Sequence, residues 1–121
     1  AEVRETNLIA MAHMRKTILK DKIMDIIRKD NGKRGVFMAL EDDSQMGEMT
    51  YAWLNDNLII IDHTGVHPTY EGQGVGKRLF LEAIAFARQS NIRIIPSCSF
   101  VKVMFKRMPE THDVLPDKQG D

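Results

Sequence analysis

Apolar and polar residues alternate in short runs from residue 24 onward, and the period changes from two to nearly four near residue 74. Residues 24–29 predict a short strand, followed by Asp30-Asn31-Gly32-Lys33, a turn in which Gly32 is free to take positive φ. Residues 34–41 predict a second strand and Asp42-Asp43-Ser44 the next turn. Over residues 47–54, Met49, Tyr51 and Trp53 alternate with Glu48, Thr50 and Ala52, the signature of a half-buried strand in which the two aromatics fill the core or cover one sheet face. Asn55-Asp56-Asn57 closes a hairpin, the isoleucine-rich residues 58–64 predict a central buried strand, and Gly65, Pro68 and Gly72 then interrupt the pattern.

Residues 74–90 predict a helix, because Val75, Leu79, Ala83, Phe86 and Ala87 form one apolar stripe at helical spacing. Residues 91–96 return as a strand, which after a helical crossover is expected to lie parallel to the strand before it. A second helix is expected over residues 99–108, stopped by Pro109, and the chain from Leu115 onward is expected to fray. In residues 1–23, Leu8, Met11, Ile18 and Leu19 permit an amphipathic helix that Arg15 and Lys22 interrupt. The division that follows is an N-terminal extension, helical or loose, over residues 1–23, one compact domain over residues 24–116, and a frayed tail over residues 117–121. The fold class is α+β: a mostly antiparallel mixed sheet ending in a β-α-β unit.

Composition narrows this picture. With 121 residues, 43% hydrophobic and 28% charged, the chain has the size and apolar content of one globular domain. The single cysteine, Cys98, permits no internal disulfide and offers no repeated Cys/His spacing for zinc, so no metal is expected. No apolar run approaches a membrane span, and a soluble, cytoplasmic protein without membrane partners is expected. The net charge of zero hides a segregation: residues 1–34 carry nine Lys/Arg against five Asp/Glu, residues 35–72 none against seven, and residues 73–121 eight against five. That distribution suits an anionic ligand and a cationic partner, and it shows no nucleic-acid footprint.

The candidate chemistry lies in one stretch, Asp62-His63-Thr64-Gly65-Val66-His67-Pro68-Thr69-Tyr70-Glu71-Gly72-Gln73-Gly74-Val75-Gly76-Lys77-Arg78. Gly72, Gly74 and Gly76 stand where a loop enters a helix, so backbone can approach a ligand closely while the first helical N–H groups point outward. Lys77 and Arg78 in the first turn oppose the helix dipole, a conflict that a bound phosphate or pyrophosphate removes. A dinucleotide fingerprint fails because Lys77 stands where Gly or Ala is needed. A Walker loop fails at Arg78 and Glu71.

With Gly74-Val75-Gly76 between a central strand and a long helix, the sequence resembles the GNAT-type N-acetyltransferases, whose signature is Gln/Arg-x-x-Gly-x-Gly/Ala; Glu71 departs from it at the first position. The resemblance is closer to a compact group reading like Ile61-Asp62-His63-Thr64-Gly65-Val66, then the glycine loop, then Ile94-Ile95-Pro96-Ser97-Cys98-Ser99-Phe100, and it covers most of residues 46–115. It implies the GNAT-like acyl-CoA N-acyltransferase fold and transfer of an acetyl group from acetyl-CoA to an amine, on a small molecule or a protein lysine. The implied contacts are Gly72, Gln73, Gly74, Val75, Gly76, Lys77 and Arg78 on the pyrophosphate side and Thr64, Gly65 and Val66 along the pantetheine arm. Valine at Gly74 or Gly76 is expected to block that ligand while sparing much of the fold. The helix after Cys98 lacks the tyrosine that serves as proton donor in larger relatives, so the resemblance moves the catalytic candidacy to Cys98, at a helix start where a thiolate is stabilised. His63, in phase with Ile59 and Ile61, is expected to be a hydrogen-bonded core residue, with general base the minority reading, and Glu48, a candidate base toward an amine, is read as an exposed strand carboxylate without a chemical role. A non-enzymatic module that binds CoA or acyl-CoA and acts through a protein partner is the alternative reading.

Overall fold

The computed structural model describes residues 14–19 and 22–116, with side chains described from Met24 onward. Six strands form one sheet in sequence order: β1 (Met14–Leu19), β2 (Lys22–Asp30), β3 (Arg34–Glu41), β4 (Ser44–Asn55), β5 (Leu58–Val66) and β6 (Arg93–Pro96). The first five are antiparallel neighbours, and β6 joins β5 in parallel after α1 (Val75–Ser90). The helix α2 (Ser99–Arg107) and a 3-10 turn (Pro109–Val114) complete the described chain. This is the expected mixed sheet ending in a β-α-β unit.

Local chemistry sets the turns. The β2–β3 connection folds back on its own side chains: Asp30 accepts from Gly32 N at 2.7 Å, and Asn31 accepts from Lys33 N and Arg34 N at 2.9 and 2.8 Å. Gly32 there takes φ 90°. The β3–β4 turn is tight, with Glu41 opposite Ser44, and Asp42 adopts φ 57°, a left-handed conformation that Asp tolerates in hairpins.

One sheet face carries Met24, Ile26, Phe37, Ala39, Met49, Tyr51, Ile59, Ile61 and Ile94, all buried. Helix α1 covers it through Val75, Leu79, Ala83 and Ala87, and Phe105 of α2 meets Phe80 of α1 edge-on at 5.0 Å. The opposite face bears Val36, Met38, Leu40, Ala52, Ile60 and Ile95, only half-buried, and no helix crosses it among the described residues.

Two stretches differ from the sequence expectation. Met14–Leu19, within the segment read as helical or loose, is an edge strand paired with β2 from Met14↔Ile27 to Leu19↔Lys22. The ladder satisfies backbone groups that a helix stripe broken by Arg15 could not bury. Residues 1–13 lie outside the described residues. At the other end, Leu115 does not fray: Arg93 Nη1 donates to the carbonyls of Asp113 and Leu115 at 2.7 and 3.1 Å, and Arg88 clamps Asp113 at 2.8 and 3.0 Å. These bonds hold the turn that buries Thr111 and Val114. The tail over residues 117–121 lies outside the described residues.

The far end of the core is an aromatic cluster. Phe37, Tyr51, Trp53 and Phe86 stack at centroid distances of 5.5 to 6.3 Å, and the Arg28 guanidinium lies 4.1 Å from the Phe86 centroid. Asp30 collects hydrogen bonds from Tyr51 Oη (2.5 Å), Trp53 Nε1 (2.9 Å) and Arg28 Nη1 (3.2 Å). Burial, reinforced by the Asp30 contact, raises the Tyr51 pKa far above its ordinary value, so the phenol remains a donor.

Gly35 makes room for the Tyr51 ring, which an added Cβ would overlap. Gly35→Ala is expected to lower stability by about 1–3 kcal/mol through overpacking. Urea denaturation checks this, and an unchanged midpoint would show that the ring yields without cost. On the open face, Asp62 accepts from Thr50 Oγ1 at 2.6 Å and from Arg34 Nη2 at 2.9 Å. Burial acts to raise its pKa, but these bonds outweigh it and hold the carboxyl below its ordinary value. Its stabilisation is therefore present above the unfolded carboxylate pKa of about 3.9 and fades as pH falls through the lower folded value. Asp62→Asn is expected to cost under about 1 kcal/mol at pH 7, because the pair is exposed, and nothing once the pH lies below the folded value. Thermal melts of both proteins at a series of pH values from 7 downward test this: the difference is expected to shrink as the pH falls, and a constant difference would overturn the assignment.

Candidate active site

The site begins where two parallel strands part. β5 and β6 pair from Leu58↔Arg93 to Ile61↔Pro96 and no further. The N–H groups of Ser97 and Cys98 then converge on Ile61 O at 2.9 and 3.2 Å, turning the chain into α2. From residue 62 to residue 66, β5 keeps β4 on one edge and, among the described residues, has no strand on the other. Such an edge offers backbone donors and acceptors to an extended ligand.

Beyond it, a 3-10 turn (Pro68–Tyr70) leads to Gly72 at φ 83° and Gly74 at φ 82°. Gly74 is the N-cap of α1 and carries no capping side chain. The first helical bond runs from Arg78 N to Gly74 O at 3.0 Å, so Val75, Gly76 and Lys77 present N–H groups for which the helix has no acceptor. These amides open onto a cleft of about 520 Å³.

Of the residues singled out in the sequence, Val66, Gly72, Gly74, Val75, Gly76 and Lys77 line this cleft. Thr64 and Gly65 sit one or two residues back along β5, and Gln73 is half-buried between the two left-handed glycines, with Oε1 buried and unbonded. Arg78 is directed along α1 to Glu82, with Nη2 3.6 Å from Oε1. The sequence reading missed the second wall, formed by Phe100, Met104, Arg107 and Met108 of α2 and the residue after it, together with Tyr70. A cation at the end of α2 opposite a glycine loop becomes visible only when α2 is placed. Gly76 has a second duty: an added Cβ would approach the Phe100 ring to 2.8 Å, so this glycine lets α2 close against α1. A valine at Gly76 therefore presses on the Phe100 ring as well as on any ligand.

Cys98 does not line the cleft. It is the N-cap of α2, half-buried, with Sγ 3.4 Å from Thr64 Oγ1 across the gap where β5 and β6 diverge. Thirty-four residues apart in sequence, these two side chains close the base of the free β5 edge.

His63 is a correction. Its phase with Ile59 and Ile61 is broken by a bulge: Tyr51 faces Ile61, Thr50 faces His63, and Asp62 is the extra residue between them. His63 therefore emerges on the open face, 57% exposed, with Nε2 2.9 Å from Glu48 Oε2. Gln45 Nε2 donates to the other Glu48 oxygen at 3.0 Å. Gln45, Glu48, His63, Gly65, Val66 and His67 border a second cleft of about 490 Å³, and Val66 is a wall of both clefts. Among the described residues, no group of three or more His, Cys, Asp or Glu side chains is placed to hold a metal ion, and no helix is long and apolar enough to cross a membrane.

Comparison with known proteins agrees with this geometry. The GCN5-related N-acetyl-transferase family matches residues 36–114. No curated protein matches significantly. Among solved structures, the chain is similar to a protein from Staphylococcus aureus described as a GCN5-like N-acetyltransferase, at 36% identity over 74% of this chain and 86% of that one, with a TM-score of 0.56. An aminoglycoside acetyltransferase from an uncultured soil metagenomic sample shares the fold at 16% identity, 74% and 64% coverage and a TM-score of 0.53. A protein described as a streptothricin acetyltransferase from Bacillus anthracis, solved with acetyl coenzyme A, does so at 18% identity, 80% and 68% coverage and a TM-score of 0.50. The free strand edge running into an uncapped, glycine-flanked helix, together with these matches, identifies the chain as a member of the GCN5-related N-acetyltransferase family, an acetyltransferase that draws on acetyl-CoA.

Proposed function

We infer that this acetyltransferase moves the acetyl group of acetyl-CoA to an amine, and that the donor lies along the unpaired edge of β5 with its pyrophosphate at the start of α1. One observation carries the reading: the free edge over residues 62–66 leads through the glycine loop to three helical N–H groups with no helical acceptor and no cap. An extended arm with amide groups suits the first, and a diphosphate suits the second. Gly72, Gln73, Gly74, Val75, Gly76 and Lys77 hold the anionic end, joined by Arg107 from the facing helix. Thr64, Gly65 and Val66 hold the arm, with their backbone polarising the thioester carbonyl. Arg78, already turned to Glu82, adds charge at longer range.

The fit is supported from within the chain. A helix start without an acidic residue in its first turn, followed at once by Lys77 and Arg78, is electrostatically unfavourable until an anion arrives. Gln73 Oε1, buried without a partner, is a second group that a donor on a ligand would satisfy. Two of the structures that share this fold are named for aminoglycoside and streptothricin acceptors. For this chain the acceptor amine is a polyamine, another small metabolite or a protein lysine. Cys98 lies 3.4 Å from Thr64 Oγ1 at the base of the free edge, which supports a reading in which the thioester end of the donor reaches it. We assign the chemistry to its sulfur, which takes the acetyl group before the amine does.

Saturating acetyl-CoA is expected to shift amide resonances across residues 64–77 in a heteronuclear NMR titration; a spectrum that stays still there would end this reading. Gly74→Val forces a β-branched residue into φ 82° at the helix mouth and is expected to abolish binding by calorimetry. Gly76→Val is expected to lower the unfolding midpoint as well, because of Phe100. For Cys98→Ala, turnover is expected to fall at least about tenfold, some 1.4 kcal/mol of barrier, while acetyl-CoA still binds. Mass analysis of the quenched peptide over residues 94–102 shows whether the thiol carries acetyl. Full turnover in the alanine variant with no acetylated peptide would leave Cys98 as a packing residue.

A further inference from the structure

We propose that Thr64 is the positioning residue for acyl transfer through Cys98: its hydroxyl holds Sγ at the base of the free β5 edge and supplies the hydrogen bond that the sulfur needs in both halves of the reaction. The proposal rests on the reading above in which Cys98 takes the acetyl group, and it gives the Thr64 side chain a role beyond that of its backbone.

Strict alternation along β5 would keep the two side chains apart. Ile61 is buried on the helix-covered face, so an unbroken strand would send residue 63 to that face and residue 64 to the other. The extra residue at Asp62 reverses the phase. Thr64 now pairs with Met49, which is fully buried on the helix side, and Val66, two residues on, packs against the core. The bulge that turns His63 out therefore turns Thr64 in, where it is half-buried. Cys98 meets it from a backbone held at both ends: its N–H donates to Ile61 O at 3.2 Å, and its carbonyl accepts from Lys102 N at 3.1 Å. With both main chains fixed, Sγ and Thr64 Oγ1 stand 3.4 Å apart.

The sulfur is turned to β5 rather than to its own helix. A side chain at an N-cap can reach the amides of the first turn, yet Cys98 makes no such bond. Among the described residues, Thr64 Oγ1 is its polar contact. A valine at residue 64 would line a small apolar pocket for a cysteine without leaving a half-buried hydroxyl to satisfy, so packing alone does not call for threonine. The branched Cβ restricts χ1 on a strand, which keeps the hydroxyl aimed. A hydroxyl both accepts and donates, so it can accept from the thiol and, by turning about its C–O bond, donate to the sulfur when charge builds there. In the first half-reaction Sγ attacks the carbonyl carbon of acetyl-CoA; the bond to Sγ forms, the bond to the coenzyme A sulfur breaks, and the thiol proton ends on that sulfur. In the second, a neutral amine attacks acetyl-Cys98; the C–N bond forms, the C–S bond breaks, and a nitrogen proton returns to Sγ. Charge gathers on Sγ as the first transfer begins and as the second ends, and the Thr64 hydroxyl serves both moments.

The test mixes the full chain with acetyl-CoA labelled in its acetyl group, adds no acceptor, and follows label on the peptide over residues 94–102 by rapid quenching. Thr64→Val, which keeps the shape and removes the hydroxyl, is expected to slow formation of acetyl-Cys98 at least about tenfold. Its acetyl-CoA Kd by calorimetry is expected to stay within about twofold of wild type, because the arm meets backbone that valine retains. Thr64→Ser, which keeps the hydroxyl, is expected to recover most of the rate. Alkylation by iodoacetamide reports on Cys98 alone, since the chain has one cysteine. A sulfur loosened by poorer packing reacts faster, whereas one that has lost its donor reacts more slowly, and slower alkylation is expected in Thr64→Val. If Thr64→Val does not fold, Thr64→Ala takes its place with the same expectations, judged against Thr64→Ser. Acetyl-Cys98 forming at the wild-type rate without the hydroxyl, no recovery in Thr64→Ser, or faster alkylation would each overturn the role of Thr64 while leaving acyl transfer through Cys98 standing. Acetyl-CoA bound to the wild-type protein without label on Cys98 would overturn both.

Discussion

The early parting of β5 from β6 governs what the rest of this structure can do. Two parallel strands could continue side by side, each satisfying the other's backbone, but β6 ends at Pro96, which has no N–H to donate and is followed by two residues folded onto a single carbonyl, Ile61 O. Among the described residues, residues 62–66 of β5 are thereby left with one strand partner instead of two. An unpaired edge inside a domain is costly and prone to unwanted pairing, so its persistence beside an uncapped helix makes sense where a ligand completes it. The two α2 features that border this edge, Cys98 at its base and the Phe100–Arg107 wall beyond, are placed by the same turn.

Glycines near the site answer to packing as much as to ligand access. Gly47 lets β4 approach β5 so closely that an added Cβ would come within 2.7 Å of Gly65 O, and Gly76 admits the Phe100 ring. Only Gly72 and Gly74 combine positive φ with exposed positions at the loop itself. The anion-facing amides thus rest on a scaffold whose spacing is set by missing side chains, while the opposite end of the sheet is fixed by the Asp30, Tyr51, Trp53 and Arg28 network around Phe86. The rigid, aromatic end and the open, glycine-rich end share strands β4 and β5.

With only three residues between β2 and β3, no helix covers the second face of the sheet among the described residues, and the acceptor side is a shallow cleft over β4 and β5. The Asp62 bulge matters most here, since it turns His63 toward this face beside Asp62, and each finds a polar partner there, Glu48 for one and Thr50 with Arg34 for the other.

Much of this was readable in the residue pattern, because it depends on local periodicity. Strands β2 to β6, helix α1 with its glycine entry, and helix α2 stopped by Pro109 all follow from alternation, helical spacing and turn chemistry that neighbouring residues decide among themselves. The family resemblance was equally local, carried by the glycine loop and by the run ending at Cys98. The edge strand Met14–Leu19 was not legible, since its pairing with β2 is a long-range choice over a stretch with no clear period. Nor was the position of His63, because one extra residue opposite Thr50 reverses the face of everything after it, and a bulge leaves no mark in a two-residue alternation. The meeting of Thr64 with Cys98, the closure of Phe100 and Arg107 over the loop, and the pairing of Glu48 with His63 all join residues distant in sequence. Local pattern fixes which way each segment folds, but only the docking of α2 and the register of β4 against β5 decide which side chains share a cleft.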